Sequence, residues 1–127
     1  MPVLAAAAAI VAGLLHVLFF VLESVLFERP DVAARFGLTD PAAIAAVRPM
    51  AFNQGFYNLF LALGVGVGLG LVASGSVDAG RAIVLFSCAC MVGAGIVLFA
   101  TSRRFARSAA IQAVPPAIAI VAALALG

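Results

Sequence analysis

Glu23 stands in an apolar run from Val3 to Phe27 whose other strongly polar side chain is His16. A carboxylate in such a run does not serve solubility. An acid inside a membrane-length segment costs at least roughly a few kcal/mol and by default marks a site or a pathway. His16 and Glu23 are seven residues apart, so a regular helix presents them on one face, about 10 Å apart along its axis. That gap excludes a direct hydrogen bond but leaves room for a water or a ligand. An imidazole that titrates near neutrality and a carboxylate in a solvent-poor interior form a candidate proton-handling pair. Glu23 and His16 are therefore the candidate catalytic groups should the chain be an enzyme.

A second polar set lies further along: Asn53, Gln54, Tyr57 and Asn58, with Gln112 near the C-terminus. Spacings of three and four within Asn53–Asn58 make a polar arc on one helix. Amides and a phenol bring donors and acceptors without the desolvation of an ion. Counted along a helix from the nearest arginines, Glu23, Asn53 and Gln112 come out level at roughly 7–9 Å of depth, with Tyr57 and Asn58 at roughly 14–15 Å and His16 at roughly 20 Å. His16, Glu23, Asn53, Gln54, Tyr57, Asn58 and Gln112 are the candidate ligand-binding residues. Hydrogen bonds of this kind are also ordinary glue between membrane helices, on the order of 0.6–2 kcal/mol each, so the amides alone require no ligand. No metal-ligand set, nucleophile pair or cofactor fingerprint accompanies them, and no metal or cofactor is expected. Cys88 and Cys90 are one residue apart, not the two of a redox pair, and read as small packing residues.

The elements that position these residues follow from composition. Of 127 residues 66% are hydrophobic and 9% charged, and the mean hydropathy is +1.28, against roughly 45–50% apolar and 25% charged in soluble domains. The pattern predicts an all-α integral membrane protein, a single domain over 1–127 that forms a four-helix transmembrane bundle. The spans fall at about 3–27, 50–73, 82–101 and 109–126. An open sheet would leave backbone groups unsatisfied in lipid, which excludes strands.

All seven basic residues are arginine. Arg29, Arg35 and Arg48 lie between the first two spans, Arg103, Arg104 and Arg107 between the last two, and Arg81 alone between the second and third. The positive-inside rule then places the first and third loops in the cytoplasm and both termini on the non-cytoplasmic side, in a bacterial cytoplasmic membrane crossed several times. The same placement ties the charge to membrane lipids and gives no reason to expect nucleic acid as a partner. The N-terminus lacks the basic region of a secretory signal and is expected to remain as a span.

Residues 28–49 are expected to hold a helical turn ended by Gly37, then a short interfacial helix led by Asp40 as N-cap and Pro41, with Phe36, Leu38, Ile44 and Val47 toward lipid. The overlapping pairs Gly64/Gly68 and Gly66/Gly70 allow close helix packing, either within the bundle or as a homo-oligomer face. Pro115 and Pro116 are expected to bend the last span and free the carbonyls of Ile111 and Gln112.

His16-Val-Leu-Phe-Phe-Val-Leu-Glu23, the block Phe52-Asn-Gln-Gly-Phe-Tyr-Asn58 and Gln112 just before Pro115 together resemble the small bacterial membrane proteins grouped as domain of unknown function 1304. The resemblance covers essentially the whole chain. It implies four transmembrane helices in the cytoplasmic membrane and names no reaction. A tryptophan associated with the region after the acid is missing here, which would leave an aromatic role to Phe27. The layout, though no motif, is similar to that of the small multidrug resistance transporters, with four spans and a first-span glutamate.

Three functional classes stay open. The chain could bind or transport a small, cationic or amphipathic molecule with Glu23 as the ionisable group. It could be an acid-base enzyme of isomerase type acting on a lipid-like substrate, or a structural membrane protein without a ligand.

Overall fold

The computed structural model describes residues 1–127, which are 87% helical and contain no strand. Helix α1 (Val3–Phe20) runs into a single π-turn (Val21–Val25). Helix α2 (Pro30–Arg35) is short, α3 (Pro41–Ala73) is long, and α4 (Val77–Thr101) leads through a 3-10 turn (Arg103–Phe105) into α5 (Ala106–Leu126). Four helical stretches, Val3–Val25, Pro41–Ala73, Val77–Thr101 and Arg103–Leu126, are long and apolar enough to span a membrane.

The chain forms two compact units, residues 1–15 with 61–127, and residues 16–60. The core of the first joins Ala9, Ala12, Val65, Val84, Cys88, Met91 and Ala119. Small side chains dominate because lipid offers no hydrophobic drive for helix association, so packing must come from close backbone approach. A methyl group on Gly68 would lie 2.8 Å from the Gly80 carbonyl and 3.0 Å from the Val84 nitrogen. One on Gly95 would lie 2.7 Å from Ala113 Cβ and 3.1 Å from the Ala109 carbonyl. Gly64 faces Ser87, whereas Gly66 and Gly70 look onto open space. Half of the small-residue surface expected to serve either bundle or oligomer thus packs within the chain.

Gly68→Val is accordingly expected to destabilise this unit by about 1–3 kcal/mol, as overpacking against backbone does. Gly66→Val should stay within about 0.5 kcal/mol of wild type. Unfolding midpoints in detergent micelles check this, and equal losses at the two sites would remove Gly68 as a contact point.

At the far end of the same unit Arg81 donates to the Ala123 carbonyl at 2.5 Å. A guanidinium there meets carbonyls that the end of α5 leaves without intrahelical partners.

In the second unit Phe27, Ala33 and Ile44 form the core, with Phe36, Leu38 and Ala51 around them. Helix α2 ends in a Schellman motif: Gly37 has φ 77°, its N–H bonds the Ala34 carbonyl, and the Leu38 N–H reaches back to Ala33. These bonds satisfy carbonyls that the helix end would orphan. Asp40 accepts from the Ala42 N–H at 3.3 Å and Pro41 opens α3, the arrangement that N-cap and first-turn chemistry favours.

Here the structure departs from the expected interfacial helix. Residues 41–49 are not a separate element but the first turns of α3, which passes through Pro49. Ile44 is buried, and Phe36 and Leu38 pack in the core rather than facing lipid. A proline removes one backbone donor, and one missing bond does not end a helix whose inner face continues into a core. Likewise α5 stays helical through Pro115 and Pro116, with Pro116 fully buried.

Candidate functional site

The site lies within residues 16–60 and begins with a change of helical register. The Leu26 N–H bonds the Val21 carbonyl, five residues back, at 2.9 Å. Such a single wide turn often occurs at functional positions. Glu23 and Ser24 sit inside it, so the side chain of Glu23 is rotated from where a regular helix projects it relative to His16.

Opposite the turn stands Gly55 of α3, fully without side chain and buried. Ser24 occupies the space where a Gly55 methyl would go: its hydroxyl fills that position, and its backbone nitrogen and Cβ are each 3.0 Å from it. The Ser24 hydroxyl donates to the Phe52 carbonyl at 2.7 Å. Three residues beyond Gly55, on the adjoining part of the helix face, Asn58 donates from Nδ2 to Oε2 of Glu23 at 2.7 Å. Asn58 is buried, with 4% exposure, and Glu23 is half-buried.

A row of phenylalanines runs along another face of α3. Phe20 meets Phe56 edge-on at 5.1 Å, and Phe56 continues the row formed by Phe52 and Phe60 on α3.

No cation answers the acid from within the unit. Arg48 pairs with Glu28 at 2.8 Å and Arg29 with Asp31 at 3.1 Å, both exposed ion pairs of the kind that contribute about 0–1 kcal/mol. Asn58 is the one hydrogen-bond partner of the Glu23 carboxyl group, and it is neutral. An acid so placed can exchange a proton or accept a cation, and the amide beside it fixes the orientation of the group.

Of the residues read from the sequence as one site, the structure joins Glu23 and Asn58. His16 is fully buried and stands edge-on to Phe19 at 5.2 Å. Asn53, Gln54 and Tyr57 are exposed, Tyr57 to 58%, and bond neither Glu23 nor Asn58. Gln112 lies on α5, in the other compact unit.

Ser24 and Gly55 were not among the residues singled out in the sequence. A hydroxyl next to an intramembrane acid, and a glycine inside a polar helical block, are the signals that point to them. Elsewhere, an open groove of about 450 Å³ between α1 and α5 is lined by Leu4, Val114, Ile118, Val121 and other apolar residues and holds none of the polar candidates.

Helix and site together define a multi-pass helical membrane protein with a part-buried acid–amide pair. The chain belongs to the family described as "Protein of unknown function (DUF1304)", whose profile matches residues 10–124, in agreement with the likeness drawn from Glu23 and the Asn53–Asn58 block. No curated protein and no solved structure matches it.

Proposed function

We propose that this protein binds, and moves across a bacterial cytoplasmic membrane, a small cationic or amphipathic molecule, with Glu23 as the ionisable group. The observation that carries this reading is a membrane-span carboxyl group whose single hydrogen-bond partner is the neutral amide of Asn58 at 2.7 Å. An ionised acid in low dielectric needs a counter-charge, and a ligand cation supplies it.

A proton and the cation compete for the same carboxylate, which couples ligand release to protonation. The six-to-one arginine distribution supports a topology in which the π-turn carrying Glu23 lies toward the cytoplasm. In the alternative acid-base enzyme reading Asn53, Tyr57 and Asn58 orient a reacting hydroxyl or carbonyl; of these Asn58 bonds Glu23, whereas Asn53 and Tyr57 are exposed.

Binding of tetraphenylphosphonium to the purified full chain in detergent tests this. Wild-type affinity should weaken at least about tenfold, or 1.4 kcal/mol, as pH falls and the carboxylate takes up a proton. Glu23→Gln should bind weakly with a flat pH profile. Equal affinity and an unchanged profile in Glu23→Gln would refute the assignment.

A further inference from the structure

We propose that the turn between α4 and α5 is a binding surface for the headgroup of an anionic phospholipid. Arg103, Arg104 and Arg107 fall within five residues of one another, all exposed, and none forms an ion pair or hydrogen bond with the chain. Residues 79–127 contain no acid. Within this unit the one acid, Asp78, is at the opposite end of the 25-residue α4, about 35 Å away at 1.5 Å per residue.

The two arginine loops differ in this respect. In the first loop Arg29 and Arg48 are answered by Asp31 and Glu28 and only Arg35 is left without an ion pair, whereas three guanidiniums at the α4–α5 turn lie together with no acid near them. Two are also held in place. Arg103 lies 4.5 Å from the ring centre of Phe99 and Arg104 lies 4.7 Å from that of Phe105. Stacking on a ring keeps the planar face occupied and leaves the N–H edge to donate. The turn ends two helices of membrane-spanning length, so those edges lie at the level of the phosphate layer. A phosphodiester accepts two parallel N–H bonds from one guanidinium, and the charges complement each other.

A lipid headgroup is the occupant the position favours, because the turn joins two helices long and apolar enough to span a membrane and thus lies where phosphates are concentrated. Each arginine near an anionic surface contributes enough for the three together to give a preference of roughly tenfold to a hundredfold.

The experiment is native mass spectrometry of the full chain in mild detergent, titrated with phosphatidylglycerol or with phosphatidylcholine of the same acyl chains. Wild type should retain phosphatidylglycerol at least about tenfold better, and this preference should shrink as salt rises, since screening weakens exposed charges. Arg103→Gln/Arg104→Gln/Arg107→Gln should abolish the preference, while Arg29→Gln/Arg48→Gln keeps it. No preference in wild type, a preference indifferent to salt, or an equal loss in the two variants would each overturn the proposal. The salt series on wild type decides the matter even if the triple variant fails to insert.

Discussion

Gly55→Ala is expected to pull α3 away from the π-turn and to break the Glu23–Asn58 hydrogen bond. The added methyl would land on the Ser24 hydroxyl and stand 3.0 Å from the Ser24 backbone nitrogen. Rotating the serine clears the first contact at the loss of its 2.7 Å bond to the Phe52 carbonyl. The second contact is with backbone and yields only if the helices separate. A shift of about 1 Å carries a 2.7 Å bond beyond the range in which amide hydrogen bonds hold. Overpacking of this kind destabilises by about 1–3 kcal/mol, and the broken bond adds to it. The variant should therefore lose both unfolding midpoint and tetraphenylphosphonium binding. Adding Ser24→Ala should restore part of the stability, since it removes the nearest atom, but not the part due to the backbone nitrogen. If Ser24→Ala makes no difference in the Gly55→Ala background, the two residues are not in contact as described.

What could be read from the sequence is what local chemistry alone decides. An apolar run of about 20 residues has a helix across lipid as its economical use, so the four spans were visible. So were Asp40-Pro41 and Gly37, whose conformational preferences act within one turn. Glu23 stood out because its charge is out of place among Val21, Leu22 and Val25.

The rest depends on contacts that local pattern does not carry. Asn53, Gln54, Tyr57 and Asn58 spread over an arc of roughly 140°, wider than one acid can face, and which of them meets Glu23 is set by how α3 is turned. Gly55 sets that turn, because it is where Ser24 comes closest. The π-turn was hidden for a related reason. Shifting one bond from four residues back to five changes little in the helix itself, and nothing in Val21-Leu-Glu-Ser-Val25 announces it. The continuity of α3 through Pro49 was missed because proline weakens a helix locally, while the burial of Ile44 holds it from outside the proline's reach.

Asn58→Leu and Glu23→Leu, made singly and together, should separate what this pair does for folding from what it does for a ligand. Asn58→Leu leaves a half-buried acid without its donor. Glu23→Leu leaves a buried amide, 4% exposed, without its acceptor. Each single change should destabilise by about 1–3 kcal/mol, the penalty of an orphaned polar group next to a charge. The double change orphans neither, and paired leucines fill similar volume, so the double variant should be more stable than either single one. Its coupling should exceed the roughly 0.3–0.5 kcal/mol within which independent sites add. Cation binding should follow the opposite course, lost with Glu23→Leu and not recovered in the double variant, because no rearrangement of leucines replaces a carboxylate. Restored stability with absent binding would mean that the acid–amide pair serves recognition at some expense to the fold. Simple additivity of the two stability losses would show instead that Glu23 and Asn58 act apart, and the site built on their 2.7 Å contact would fall with it.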